Sequence, residues 1–463
     1  MLYDKLKNYS KSGIYPFHMP GHKRNFGYDL PYNIDLTEIE GFDNLHNAVG
    51  CIKEIEEKAA KLYSVNRAFL LINGSTGGIL SAIRALTNYG DKVIVARNCH
   101  KSVYNAIEIC GLKPVYILPD YSDDYGIYTK VNPDTVKKSI IDNPDAKLVI
   151  ITSPTYEGIV SDISKISEIC KAYNIKLFVD EAHGAHFPFS DEFPNEAVNS
   201  GADVAVISLH KTLPSLTQTG LLLTNNLTLE NKLLQNLSIF ETSSPSYILL
   251  SSIEKCIDYI SDNKPLFKSY LNNLDAFYKS ISSLEHIKVI DFEKLNLDYD
   301  KGKIIISTVK ASLNGYELAK ILRTEYGIET EMCYTNYVLA MTSICDTKKG
   351  FSRLSEALRE IDNKCVFNKT SNNFNILKLL PKRLFLSSEK SKYKSEIISF
   401  NDAINRVSLE YIWAYPPGIP LLVPGEIISE EIFITIKNLL DENIEIYSSE
   451  KNLPQNISVA EID

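Results

Sequence analysis

From about residue 65 the chain alternates short continuous apolar runs with segments of helical spacing, and this alternation limits the fold more than any other feature. RAFLLI (67–72) reads as a buried strand and GGILSAIRALTNYG (77–90) as a helix closed by Gly90. KVIVAR (92–97), PVYIL (114–118), KLVIITS (147–153), KLFVD (176–180), DVAVIS (203–208) and GLLLT (220–224) continue the strand series. KSVYNAIEICG (101–111) and SKISEICKAYN (164–174) supply helices between them. Runs rich in β-branched residues, without polar alternation, suit strands covered on both faces. The pattern predicts an α/β fold with a mostly parallel sheet between helical layers.

The character changes at residues 245–284, where i, i+3/i+4 apolar spacing predicts long helices bridging two domains. Beyond them, KIIISTVK (303–310), GYELAKILRTEYG (315–327), IETEMCYTNYVLAMT (328–342) and GFSRLSEALREID (350–362) give strand, helix, strand, helix: a smaller α+β domain. Residues 363–383, rich in Asn and Lys, read as a loop or insertion, and YPPGIPLLVPGE (415–426) holds too much Pro and Gly for regular helix. The expected division is 1–55, 56–290 and 291–463.

Composition narrows the function classes. With 58 acidic against 49 basic residues the net charge is -9, which disfavours a nucleic-acid partner, since phosphate contacts need clustered Lys and Arg. No apolar run approaches a membrane span, and the polar start MLYDKLKNYSKSG lacks the apolar core of a secretory signal. Eight scattered cysteines with no CxxC pair fit reduced thiols in a cytoplasmic protein.

FVDEAHGAHF (178–187) contains the letters of a DEAH nucleotide motor. Such a motor also needs G-x-x-x-x-G-K-[ST] to hold phosphates. The one Gly-Lys pair, Gly302-Lys303, is followed by Ile304 and lacks the earlier glycine. The motor reading fails. HxxH spacing at His183 and His186 lacks an evident third ligand, so no metal is expected.

Strand ends carry the chemistry instead. Lys211 follows DVAVIS in the polar stretch SLHKTLPSLTQTG, at the carboxyl edge where ligands of open α/β sheets bind. A lysine held there can bond a carbonyl cofactor if its amine is partly neutral. Pyridoxal phosphate also needs a phosphate cradle, an acid at its pyridine nitrogen and a group over its ring. NGSTGG (73–78), with Ser75 and Thr76 at a helix start, offers the cradle. Asp180 ends a strand and offers the acid, His183 follows three residues on, and His100 ends another strand. Glu181 should face away from Asp180 on an extended strand.

The chain resembles the Orn/Lys/Arg decarboxylases, fold-type-I enzymes dependent on pyridoxal 5′-phosphate. The resemblance runs through FHMPGHKRN (17–25), DLTEIEGFDNLHNAVG (35–50), NGSTGGI (73–79), RNCHKSVYNAI (97–107), TSPTYEGIVSDI (152–163), VDEAHGAHFPF (179–189), SLHKTLPSLTQTG (208–220), TSSPSYILLSSIE (242–254) and YPPGIPLLVPGE (415–426). It resembles the short bacterial form, without the N-terminal receiver-like wing domain of the long acid-inducible members. It implies that Lys211 is the Schiff-base lysine, that Asp180 meets the pyridine nitrogen and that His100 stacks on the ring. Ser75, Thr76, Ser208 and His210 would hold the phosphate. Thr242 and Ser243 would reach the neighbouring subunit's phosphate, implying a homodimer or higher homo-oligomer with active sites at the interface. His183 resembles the histidine of related oxoamine synthases that contacts the phenolic oxygen.

Glu157 stands where the family often has a second aromatic, and Asn405-Arg406-Val407 replaces a Gly-Arg-Ile-like element. These departures bear on the substrate more than on the reaction. The implied activity is decarboxylation of a basic amino acid to its amine and carbon dioxide. Asp35, Glu38 and Asp43, in an N-terminal arm near the site, with Glu157 and Glu426, are candidates for its cationic end. A carboxylate paired in bidentate fashion would favour guanidinium, hence arginine over lysine or ornithine. The rival readings are a fold-type-I aminotransferase or oxoamine synthase, and a non-catalytic regulatory homologue; the latter usually loses the lysine or the acid, and both are present here.

Overall fold

The computed structural model describes residues 13, 15–17, 43–367, 379–414, 419–441 and 445–461. Its centre is a seven-stranded sheet. The strands are β1 (Arg67–Leu71), β2 (Lys92–Ala96), β3 (Lys113–Ile117), β4 (Leu148–Thr152), β5 (Lys176–Asp180), β6 (Val204–Ile207) and β7 (Gly220–Thr224). Their order across the sheet is β1-β7-β6-β5-β4-β2-β3. β7 runs against both of its neighbours and the remaining pairings are parallel. Every residue of β1, β6 and β7 is buried, as expected of strands covered on both faces.

The covering helices include α1 (Cys51–Leu62), α2 (Gly74–Leu86), α3 (Lys101–Ile109), α4 (Pro133–Asp142), α5 (Ile163–Ala172), the short α6 (Leu209–Thr212) and α7 (Glu230–Phe240). α2 begins three residues before the expected position and ends before Gly90. Thr87 stops it: its hydroxyl donates to the Ile83 carbonyl at 2.7 Å while its own backbone turns extended. Gly90, at φ +82°, instead serves the turn from Asn88 to Asp91, a left-handed conformation that costs glycine little.

Two long helices follow as expected, α8 (Tyr247–Asp262) and α9 (Pro265–Ser280). A second sheet then forms from β8 (Lys288–Val289), β9 (Lys303–Ser307), β10 (Met332–Tyr334) and β11 (Tyr337–Met341), in the order β8-β9-β11-β10. α10 (Gly315–Thr324) and α11 (Lys348–Asp362) accompany it. The stretch 328–342, expected as one strand, is three. Thr335 and Asn336 make a hairpin turn between β10 and β11, and their carbonyls accept from the amides of Gly315 and Thr308. The first piece, Ile328–Thr330, leaves this sheet to pair in parallel with Tyr15–Phe17.

Residues 395–460 add small sheets and a helix with their own apolar cluster, including Phe400, Ile412, Leu422, Ile436 and Ile457. Of the Pro/Gly-rich stretch 415–426, Ile419–Leu422 forms a strand and 415–418 lie outside the described residues. No helix among the described residues is long and apolar enough to cross a membrane.

Candidate active site

A cavity of about 400 Å3 opens at the carboxyl edge of the central sheet. The parallel strands deliver its walls in turn. Asn73, Ser75 and Thr76 follow β1, Asn98 and His100 follow β2, and Thr152 ends β4. Asp180 ends β5, Ser208 follows β6, and His210 and Lys211 lie on α6. β7 runs the other way and so contributes from its start, through Thr217 and Gln218. The topology, more than any local motif, brings these side chains together.

At one end lie the hydroxyls. Ser75 Oγ and Ser208 Oγ share a hydrogen bond of 2.5 Å, and Thr76 Oγ1 meets Ser102 Oγ at 2.9 Å. They stand at the N-terminus of α2, where backbone N–H groups and the helix dipole favour an anion. His210 Nδ1 lies 2.9 Å from the Thr219 carbonyl, which orients its ring. His100 Nδ1 is 2.8 Å from Ser102 Oγ, and burial followed by the Lys211 charge pushes its pKa down to about 3. A neutral ring suits stacking against another ring. Asp180 is 3% exposed and accepts from the Ala182 amide at 3.2 Å. Burial pushes its carboxyl up, and the Lys211 charge and that amide oppose the push.

Lys211 is pulled below the ordinary lysine range by burial, against the charges of Asp180 and Glu331. Its Nζ lies 2.9 Å from His183 Nε2. His183 in turn presents Nδ1 to the Nζ of Lys303 at 2.6 Å, and Tyr156 packs edge-on against its ring at 4.8 Å. An amine, a buried carboxylate and a hydroxyl cradle around one cavity are the donor set that pyridoxal phosphate requires for its aldehyde, its ring nitrogen and its phosphate. The residues fit that group.

Residues 1–301 match the family model for the Orn/Lys/Arg decarboxylase major domain, and residues 376–442 match that for the C-terminal domain. The chain belongs to the Orn/Lys/Arg decarboxylase family. It is 31% identical to an arginine decarboxylase of Bacillus subtilis, over 97% of this chain and 95% of that one. The lysine decarboxylase of Francisella novicida superposes with a TM-score of 0.77 at 18% identity, covering 90% of this chain and 73% of that one. A solved structure of SPT with PLP superposes at 0.59 and 14% identity, over 76% of this chain and 87% of that one. These structures show the same fold, and the expected fold-type-I architecture holds.

Some expectations for this decarboxylase-family site need correction. Glu426 is not offered to a substrate: it receives Arg97 Nη2 at 2.9 Å and the Val423 amide at 2.9 Å, and does not line the cavity. Asp43 is also committed. Its carboxylate accepts from the amides of Asn44, Val49, Gly50, Ile52 and Lys53, closing the loop that starts α1. Asp35 and Glu38 lie outside the described residues. Glu157 does line the cavity, is pushed up by burial, and accepts from Tyr337 Oη at 2.9 Å. Thr242 and Ser243 lie beyond α7, away from this cavity; the Thr242 carbonyl meets His46 Nε2 at 2.9 Å. Glu181 faces away, as expected, and accepts from the Ala197 amide at 3.0 Å. His186 Nε2 pairs with Asp300 Oδ1 at 3.1 Å, so the two histidines of HxxH take different partners.

Sequence reasoning missed Lys303. Its only local signal was a lysine at the mouth of the apolar run IIIS, where a solvated strand end would look the same.

Proposed function

We propose that this chain decarboxylates a basic L-amino acid, arginine in preference to lysine or ornithine, with pyridoxal 5′-phosphate in the cavity at the sheet edge. The observation that carries the reading is the convergence of Lys211, Asp180 and the Ser75/Thr76/Ser208 hydroxyls on one cavity, in a chain of this family. When bound, the cofactor supplies an electron sink for the pair left behind as the carboxylate departs.

The chain's residues have separate tasks. Lys211 presents the amine for the aldehyde. The Asp180 carboxylate holds a proton on the ring nitrogen, and its burial strengthens that interaction. Ser75, Thr76, Ser208 and His210 anchor the phosphate, and His100 covers one ring face. His183 directs Nε2 toward the Lys211 nitrogen and would serve the cofactor's phenolic oxygen. Enclosing the substrate carboxylate among Tyr156, Tyr128 and Ile419 removes water from a charge that disperses as it leaves.

Glu157 is the described acid placed to receive the substrate's cationic end, with Asp35 and Glu38 as further contributors. Thr242 and Ser243 serve the partner's phosphate in a homodimer or larger homo-oligomer. In this reading residues 56–290 bind the cofactor, 291–463 close the site and 1–55 form an arm near it. The enzyme works in the cytoplasm and feeds polyamine biosynthesis.

Product analysis with arginine, lysine and ornithine tests the reading. Agmatine plus carbon dioxide from arginine, faster than cadaverine from lysine or putrescine from ornithine, is expected. A keto acid product would replace it with an aminotransferase.

A further inference from the structure

His183 stands between two lysine nitrogens. Nε2 lies 2.9 Å from Lys211 Nζ, and Nδ1 lies 2.6 Å from Lys303 Nζ. The histidine is 4% exposed and Lys303 is 2% exposed. A neutral imidazole has one N–H and one lone pair, whereas an ammonium can only donate. The ring therefore accepts from one lysine and donates to the other, which must be an amine with a free lone pair. Protonating both ring nitrogens would require two neutral lysines. Burial first, and then the Lys211 and Lys303 charges, hold His183 well below its ordinary range and oppose that state. In every arrangement at least one of the two lysines is uncharged.

The surroundings decide which one. Lys303 faces Asp300, Glu331 and Glu157, with Lys211 as its opposing charge. The carboxylates that support a charge on Lys211 are two, Asp180 and Glu331, among the described residues. His183 itself also faces His100 and His210. The Lys303 nitrogen lies 5.4 Å from the centroid of the Tyr156 ring, whose face favours a cation. Its contact with the imidazole is the shorter of the two, as a charge-assisted hydrogen bond would be. Burial outweighs these carboxylates and leaves Lys303 at about 7, so without them its ammonium would be lost at neutral pH.

The route to the histidine is also built in. A Cβ on Gly158 would come within 2.7 Å of Lys303 Cγ and 2.8 Å of Lys303 Cβ, so the lysine stem passes where only glycine leaves room. The turn before Lys303 is fixed by Asp300, which receives the Gly302 amide at 2.8 Å and holds His186. Both histidines of HGAH thus grip the 300–303 turn, one through Asp300 and one through Lys303.

We propose that Lys303 is a positioning residue: its ammonium donates to His183 Nδ1, fixes the Nε2–H tautomer and aims that N–H at Lys211, which stands as the neutral amine. The inference rests on the reading of Lys211 as the cofactor-bonding lysine. It gives a lysine in the second sheet control over the protonation of a nucleophile on α6, at the edge of the first.

Ring 15N NMR of the full chain without cofactor tests it, with His183→Gln identifying the signals. The wild-type ring should show a protonated Nε2 and a bare Nδ1. Lys303→Met, with its helix and sheet circular dichroism intact, should mix or invert that pattern, and Lys303→Gln, which keeps an N–H donor, should restore it. In the same variants, the rate at which added pyridoxal phosphate develops its visible band should have its pH midpoint raised by about one unit in Lys303→Met, tenfold slower below that midpoint. Its kcat should fall at least tenfold with KM within twofold. A protonated Nδ1 in the wild type, or a tautomer and pH midpoint unmoved in Lys303→Met, overturns the proposal. If Lys303→Met does not fold, the wild-type and Lys303→Gln spectra still decide. The spectra need neither cofactor nor substrate, so the expected tautomer in a chain that decarboxylates nothing would sink the function and leave this arrangement standing.

Discussion

The Arg97 guanidinium donates to the Glu426 carboxylate at 2.9 Å, and each of the two side chains is 1% exposed. This pair ties the end of β2, one residue before the cavity residue Asn98 and three before His100, to a segment 329 residues later. Arg97 also lies 4.9 Å from the centroid of the Tyr116 ring and 5.7 Å from that of Tyr104, so its flat face is packed as well as its charge paired. Removing one member of such a pair leaves a buried charge uncompensated, at a cost of about 3–5 kcal/mol. Glu426→Ala should therefore lower the denaturant midpoint strongly. KM for arginine should be unchanged in the protein that remains folded. A normal midpoint with a raised KM would return Glu426 to the substrate site.

Asp43 makes a second, milder prediction. Burial pushes its carboxyl up, but the amides of Val49, Gly50, Lys53 and Asn44 outweigh this and hold it below the ordinary aspartate range. A folded-state pKa below the unfolded one stabilises at every pH above the unfolded value, about 3.9, and the gain is lost as pH falls through the folded value. Asp43→Ala should cost about 1–2 kcal/mol at pH 7, the size of a lost helix cap. The cost should shrink below about pH 4. Unfolding curves at pH 7 and pH 3 check both points, and a cost that does not change with pH would contradict the cap.

Sequence and structure agree where chemistry depends on a strand end. Lys211, Asp180 and His100 were legible because an α/β pattern dictates where its strands stop, and ligands gather there. The antiparallel direction of β7 was not legible, since GLLLT buries both faces whichever way it runs. Residues whose partner is far along the chain were misread or missed. Glu426 looked like a free acid because Arg97 is 329 positions away, and Lys303 looked like a solvated strand end because His183 is 120 positions away. The split of 328–342 into three strands depends on the Thr335-Asn336 turn, where Asn336 is the one turn-favouring residue and no Gly or Pro interrupts the apolar run.

Three buried glutamates make stability depend on pH in the unusual direction. Burial raises Glu56, Glu196 and Glu241 each to about 7, against the Arg67 charge for Glu56 and backbone amides for the other two. Between about pH 4.5 and 7 the folded chain binds more protons than the unfolded chain, so their contribution to stability falls as pH rises and is lost above the folded value. Glu241→Gln keeps an acceptor for the Ile72 amide, now 3.1 Å from Glu241 Oε1, and removes the charge. The variant should match the wild type at pH 5 and exceed it at pH 8 by on the order of 1–3 kcal/mol. Denaturant titrations at the two pH values decide; an equal loss at both would mean the carboxylate is not protonated in the folded chain.

Lys211, on α6, and Asp180, at the end of β5, should fail in different ways. Lys211→Ala removes the nitrogen proposed to bond the cofactor, so the purified chain should lose both the visible cofactor band and decarboxylation. Asp180→Asn keeps the size of the side chain and an oxygen for the Ala182 amide, now 3.2 Å away, but cannot hold a proton on a ring nitrogen by charge. It should bind cofactor and lose about 10²–10³-fold in kcat, the scale of one preorganised electrostatic partner. Absorbance spectra beside steady-state rates separate the two outcomes. An Asp180→Asn chain with wild-type kcat would show that another group governs the ring nitrogen, and a Lys211→Ala chain that keeps the band would move the bond to another lysine, of which Lys303 is the nearest through His183.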